Sequence, residues 1–228
     1  MPAESIRKGN AMDARELVDL IDAAEGRLRA DTVFRNARIV DVYGHRVAEG
    51  SVAVRDGVIV VYDADEVVDC GGRYLAPGLI DGHLHIESSN IRPAEYAMMA
   101  ATRGTTTAIA DSHEIANVCG LDGLSFMIED ARRAPIDIKF MMPSCVPALP
   151  DEQAGATITA SDMSAFMAEH PGEIFGLGEM MNLPGIFTAD PETCARVAVG
   201  ADTASRQVDG HAPMVTGRDL NAYVAAGV

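Results

Sequence analysis

The alternation of apolar and polar positions along the chain changes period twice. Over residues 11–30, AMDARELVDLIDAAEGRLRA, the apolar residues Leu17, Leu20, Ile21 and Ala24 recur at helical spacing, and Asp13 stands where a helix cap belongs. This predicts a helix packed through those four residues. From 32 to 76 the period drops to two. The runs TVFRNARIVDV, RVAEGSVAVRDGVIVVY and EVVDCGGRYLAPG are rich in β-branched residues and broken by Asp-Gly and Gly-Gly. They predict an antiparallel hairpin array. Helix and array together form a first region, 1–76, containing a small β-sandwich-like module.

From 77 to 228 strand-like runs alternate with helical ones. GLIDGHLHI precedes PAEYAMMAATRG, and TTTAIADSHE precedes GLDGLSFMIEDARRA. IDIKFMMPSCVP leads to SDMSAFMAEHPG, IFGLGEMMN to DPETCARVAVGADTA, and RQVDGHAP to TGRDLNAYVAAGV. Five β-α units in succession predict an α/β fold with a parallel sheet, either a (β/α)8 barrel or a doubly wound sheet. No GxGxxG opens a helix after a strand and no GxxxxGK[ST] occurs, which counts against a nucleotide-cofactor sheet. The expectation is a TIM-barrel type, incomplete at five units.

Composition narrows the function classes. Lys and Arg total 18 and Asp and Glu 34, giving a net charge of −16. So acidic a chain is a poor nonspecific partner for nucleic acid or an anionic membrane, although a free nucleobase stays open as a ligand. The four cysteines, Cys70, Cys119, Cys145 and Cys194, form no CxxC pair, so neither a zinc ribbon nor a thioredoxin-like site is indicated. The first residues lack an apolar signal core and no run of about 18 apolar residues occurs, so a cytoplasmic location is expected.

The unusual polar residues cluster at the ends of the strand-like runs. His83 and His85 close the first unit, Asp111, His113 and Glu114 the second, Glu179 the fourth and His211 the fifth. Barrel enzymes build their sites on that carboxyl face. Residues i and i+2 of a strand share a side, so His83 and His85 project together and two such imidazoles can share a metal ion. Taken alone, an H-x-H pair is more often two satisfied polar histidines. A strand-end Glu179 capping the next helix and a hydrogen-bonded core His211 are equally ordinary. The coincidence of all of them at one face is what argues for a metal.

The stretch APGLIDGHLHIESSNIRPAEYAMMAATRGTTTAIADSHEIANVCG resembles the adenine deaminases of the amidohydrolase superfamily, and GEMMNLPGI and VDGHAP match later motifs of that family in order. The resemblance implies that His83 and His85 are first-strand ligands of one metal. Glu179 would be a bridging carboxylate where many relatives carry a carbamylated lysine, and His211 a ligand of a second metal. Glu179 and His211 would be the catalytic residues. Asp111, His113 and Glu114 match the family's second-strand motif, with orientation, support or an accessory metal as their role. Glu87 and Ser88 would line the substrate pocket. The implied cofactor is a binuclear divalent centre of manganese or iron, with zinc an alternative. The implied reaction is hydrolysis of adenine to hypoxanthine and ammonia, in purine salvage. The substrate is a purine base and the expected assembly a homo-oligomer, without nucleic acid or membrane partners.

The sequence departs from that family in extent. A closed barrel needs eight units. The sixth-strand histidine and eighth-strand aspartate that the resemblance implies do not occur, so a fragment or truncated form with little turnover of its own is expected. Two alternatives stay open. One is an amidohydrolase acting on a cyclic amide, against which Glu179 in place of lysine counts. The other is a non-catalytic partial barrel with a structural or interaction role.

Overall fold

The computed structural model describes residues 13–60, 64–149, 151–202 and 207–228. It divides into two compact units, Met1–Gly78 and Leu79–Val228.

In the first unit, helix α1 (Ala14–Ala24) is opened by Asp13, whose carboxylate accepts from the main-chain N–H groups of Arg15 and Glu16, while the Glu16 side chain accepts from the Asp13 N–H. This reciprocal capping box satisfies N–H groups that a helix start leaves unpaired. The helix is shorter than its apolar pattern predicts, and its packed face is rotated. Leu17 and Ile21 are each 48% exposed and Ala24 is exposed, whereas Leu20 and Ala23 turn inward. The reason is the size of the core they meet, which is built of Ala23, Ala30, Val33, Ala53, Val60 and Ala64. Small side chains leave room for a close approach along one narrow stripe only.

The strands of this unit are β1 (Ala30–Asp41), β2 (Arg46–Arg55), β3 (Val58–Val60), β4 (Ala64–Asp69) and β5 (Tyr74–Leu75). The β2–β3 hairpin is antiparallel, and its Asp56-Gly57 turn has φ of 47° and 76°, as a tight turn with two left-handed residues requires. β1 and β2 are antiparallel as well, as the sequence predicts, and only β4 and β5 depart from the expected antiparallel array. β4 and β5 both run parallel to β1, pairing Arg35 with Asp69 and Arg38 with Tyr74. Gly71 and Gly72, with φ of 57° and 75°, do not reverse the chain. They bulge it outward opposite Asn36, whose carbonyl accepts from the Gly72 N–H, so β4 and β5 follow the same edge of β1 in succession.

The second unit is a parallel sheet with helices between its strands. Its strands are β6 (Leu79–Leu84), β7 (Thr105–Asp111), β8 (Asp137–Met142), β9 (Ile174–Met180) and β10 (Val208–Gly210). They pair in chain order, each with the next, and every pair is parallel. A doubly wound sheet reverses its order at a switch point. Unbroken order is the singly wound pattern of a barrel, and five strands form an open part of one. The connecting helices are α2 (Pro93–Ala101), α3 (His113–Ala131), α4 (Ala160–Glu169), α5 (Leu183–Phe187), α6 (Pro191–Ala201) and α7 (Gly217–Ala225).

The core of this unit joins Phe140 and Met142 of β8, Leu177 and Met180 of β9, Leu124 and Ile128 of α3, and Met163 of α4. Strand β6, whose sequence suggests burial, is the exception, with Leu79 62% and Ile80 68% exposed. It is an edge strand, and among the described residues nothing pairs with its outer side. Helix α2 lacks a side-chain cap of its own, since Arg92 precedes it. Asp130, buried on α3, supplies one by accepting from the Ala94 N–H at 2.9 Å. Helix α3 begins earlier than its pattern suggests, at His113, because Gly120 (φ 63°, ψ −147°) kinks one long helix where the sequence reads as a loop before a shorter one. His113 and Glu114 therefore lie on the first turn of a helix rather than at a strand end.

Candidate metal centre

The carboxyl ends of β6, β7, β9 and β10 meet around Glu179. Its Oε1 lies 3.6 Å from His83 Nε2 and 2.9 Å from His211 Nδ1. Its Oε2 lies 3.5 Å from His85 Nε2 and 3.8 Å from His113 Nδ1. One carboxylate thus faces four imidazoles, two on each oxygen.

Each part is held by the local chain. His85 Nδ1 stands 2.8 Å from the main-chain carbonyl of Asp111. A carbonyl only accepts, so Nδ1 carries a proton, and Nε2, the nitrogen left for a metal, faces Glu179. Glu179 is fixed through its own backbone. Its N–H donates to Asp111 Oδ2 at 2.7 Å, and its carbonyl accepts from the Ser144 hydroxyl. Gly178 permits the first bond, because a Cβ there would fall 2.5 Å from Asp111 Oδ2. The His211 N–H donates to the Tyr223 hydroxyl at 2.8 Å, which in turn donates to the Met180 carbonyl at 2.5 Å. Buried Tyr223 of α7 thereby ties the fifth unit to the fourth.

Asp111 is fully buried. Its second oxygen, Oδ1, stands at ion-pair distance, 3.2 Å, from His113 Nδ1, though neither atom has a well-aligned hydrogen bond. Burial works against the charged form of His113, but the carboxylates of Asp111, Glu179 and Glu87 outweigh it and raise its pKa above the ordinary value.

The other sequence candidates lie to one side. Ser88 donates to Glu114 Oε1 at 2.7 Å, and Glu87 Oε1 accepts from the Ile115 N–H at 3.3 Å. Both bonds reach the first turn of α3 rather than Glu179. Glu87 Oε2 is buried without a hydrogen-bond partner, and burial is the main cause that holds this carboxyl above the usual range. Sequence reasoning missed Asp209, whose Oδ2 lies 3.6 Å from His83 Nδ1. The signal was present, since Asp209 and His211 repeat the i, i+2 spacing of His83 and His85. Ser144, Gly178 and Tyr223 act through main-chain bonds and carry no such signal.

These donors fit a divalent cation. One ligand atom from each of His83, His85 and Glu179 lies within 4.8 Å of the others, and the same holds for His85, Asp111 and His113. Mixed imidazole and carboxylate donors suit first-row divalent metals. Asp111 Oδ1, without a well-aligned hydrogen bond, is a buried acceptor that such an ion would satisfy.

A singly wound parallel sheet with imidazoles and carboxylates gathered at its carboxyl edge defines a barrel-type protein with a candidate metal site. The chain belongs to the amidohydrolase family, whose pattern matches residues 74–228. Among similar proteins, the adenine deaminase of Nitratidesulfovibrio vulgaris (strain Hildenborough) is 47% identical over 215 residues, covering 93% of this chain and 37% of its own length. That of Ligilactobacillus salivarius is 46% identical over 220 residues, covering 95% of this chain and 38% of its own. That of Methanoregula boonei is 46% identical over 223 residues with the same coverage, 95% and 38%. The chain therefore spans little more than a third of the length of these relatives. Among solved structures, the N-acyl-D-glutamate deacylase of Bordetella bronchiseptica, complexed with zinc and a phosphonate inhibitor, matches with a TM-score of 0.53 at 18% identity, covering 88% of this chain and 49% of that one. That likeness shows the fold. No helix among the described residues is long and apolar enough to cross a membrane.

Proposed function

We propose that this chain carries the first metal-binding part of an adenine deaminase, an enzyme that converts adenine and water to hypoxanthine and ammonia. The observation that carries the reading is the convergence of His83, His85 and His211 on Glu179, in a chain 46–47% identical to proteins named adenine deaminase. His83, His85 and Glu179 would hold one cation, with Glu179 and His211 directed to a second. Manganese or iron is the proposed metal, and zinc the alternative.

A divalent cation in such a site would supply hydroxide at neutral pH, by lowering the pKa of water to about 7. The protein's own contribution is orientation and proton handling. The Asp111 carbonyl keeps a proton on His85 Nδ1 and leaves Nε2 for the metal. Asp111 and Ser144 fix the backbone of Glu179, so its carboxylate does not have to be ordered at the moment of reaction. His211 has the most exposed side chain of the four imidazoles and lies 2.9 Å from Glu179 Oε1, so the two can hold a proton between them at the mouth of the site. Glu87 and Ser88, just beyond the histidine pair, are proposed to line the purine pocket.

The test is ammonia release, measured on manganese-loaded protein with adenine and with cyclic amides such as hydantoin. The chain would be assayed alone and joined to the remaining portion of the Nitratidesulfovibrio relative. The reading expects adenine turnover in the joined form, none with the amides, and loss of turnover in Glu179→Gln. Turnover of the amides instead, or silence toward adenine in a folded, metal-loaded joined form, would overturn it.

A further inference from the structure

We propose that Asn117 and Gly155 are positioning residues for the purine pocket: the loop after β8 clamps the first turns of α3, and these in turn set Glu87 and Ser88. The inference rests on the preceding reading, in which those two residues line the pocket. Three observations carry it. First, the helix start and the pocket wall hold each other. Ser112 gives α3 no side-chain cap. The Ile115 N–H, one of the donors that a helix start leaves unpaired, is taken by Glu87 Oε1 at 3.3 Å. Ser88 donates to Glu114 Oε1 at 2.7 Å. A displacement of residues 113–115 therefore carries Glu87 and Ser88 with it.

Second, these turns are not held by the rest of their own helix. Gly120, with φ 63° and ψ −147°, interrupts the helical backbone between residues 113–119 and the segment that follows. Carbonyls just ahead of such a break lose the donors that a continuous helix would give them. Third, a replacement donor comes from the next β-α unit. The Gly155 N–H donates to the Asn117 carbonyl at 2.7 Å, and the Asn117 side-chain amide donates back to the His113 carbonyl at 2.9 Å. Asn117 thus links the loop to the first residue of the helix. The approach is so close that a Cβ on Gly155 would run into the Val118 carbonyl oxygen. The loop has its own anchor in buried Ile158, whose N–H donates to the Val146 carbonyl at 2.9 Å. A wall fixed in this way is ordered before a ligand arrives, which lowers the cost of binding.

Two readouts separate the inference from the reading beneath it. On this chain alone, amide hydrogen exchange at Ile115 reports the clamp, with circular dichroism confirming the fold. In the joined form described above, steady-state kinetics with adenine report the pocket. Gly155→Ala is expected to speed exchange at Ile115 several-fold and to raise KM for adenine about tenfold, as for a lost hydrogen bond. Because only uniform binding weakens, kcat and manganese content should stay unchanged. Asn117→Ala keeps the main-chain bond to Gly155 but drops the tie to His113. It should move both readouts in the same direction, and it decides the matter if Gly155→Ala fails to fold. Unchanged exchange at Ile115 in the folded variants overturns the clamp. Faster exchange with an unchanged KM, or a fall in kcat with loss of manganese, overturns its link to the pocket. Silence of the unsubstituted joined form toward adenine overturns the earlier reading instead, and exchange at Ile115 still decides the clamp.

Discussion

The Nδ1 of His85 lies 2.8 Å from the main-chain carbonyl of Asp111. A backbone acceptor cannot be titrated or rotated away, so the tautomer of His85 is set by the pairing of β6 with β7 rather than by a neighbouring side chain. The same residue, Asp111, uses its carboxylate to hold Glu179. One strand end therefore orients a candidate ligand on each side of itself.

Glu179→Gln keeps the size of the side chain and its backbone bonds but removes the charge that faces four imidazoles. Manganese affinity, measured by titration, is expected to fall by more than the roughly 10–100-fold that loss of a supporting partner costs. The circular dichroism spectrum should be unchanged.

Gly178→Ala tests the close approach of β9 to Asp111. The added Cβ would sit 2.5 Å from Asp111 Oδ2 and force the carboxylate off the Glu179 N–H. Overpacking of this kind costs about 1–3 kcal/mol. Chemical denaturation should show that loss together with weakened metal binding. Full stability with wild-type affinity would mean that the Asp111 contact is dispensable.

Asp209→Asn removes the carboxylate nearest His83 Nδ1 while leaving the ligand candidates in place. A drop of roughly 10–100-fold in manganese affinity, with little change in thermal stability, is the expected outcome. An unchanged affinity would reduce Asp209 to a half-buried neighbour with no part in the site.

Tyr223→Phe deletes the hydroxyl between the His211 N–H and the Met180 carbonyl. A buried carbonyl and a half-buried N–H lose their partner, so unfolding free energy should drop by about 1–3 kcal/mol. Hydrogen exchange at the His211 amide should quicken. Protection as strong as in the unsubstituted chain would show that another group takes over the bond.

Asp130 gives the chain a stability term with a defined pH dependence. Burial alone would raise its carboxyl pKa, but the Ala94 N–H, Arg133 and Arg92 outweigh burial and hold it below the usual range. A depressed folded value means the stabilisation is fully present above the unfolded pKa of about 3.9 and is lost as pH falls through the folded value. Asp130→Asn should therefore lower stability at pH 7, by about 1 kcal/mol as for a lost helix cap. The two melting curves should converge in strong acid, and a constant gap at all pH values would contradict the account.

Order and type of the elements in the second unit are legible because each strand-like run is followed by a helical one. The histidines are legible because i, i+2 spacing and strand-end position are visible in one dimension. What escapes is what depends on pairing partners. Nothing in CGG separates a hairpin turn from a bulge, and the parallel docking of β4 and β5 followed from the free edge of β1. Leu17 and Ile21 look like core residues until the small-residue interior they would have to fill is known. GLIDGHL reads as buried because its exposure is a property of the sheet's edge, not of its own side chains. Ser144 and Tyr223 escape because they hold the site through carbonyls and amides that every sequence has.

Strands β7 and β9 are separated by β8, and in a flat sheet that would put them roughly 9.6 Å apart, two strand spacings. Here a carboxylate on β7 closes on an N–H of β9 at 2.7 Å, over a residue with no side chain. That single stitch gauges how tightly the sheet rolls. Whatever loosens it flattens the sheet and spreads His85, His113 and Glu179 apart together. Curvature and chemistry are therefore one mechanical variable in this protein, and a ligand that draws those side chains inward would also wind the barrel.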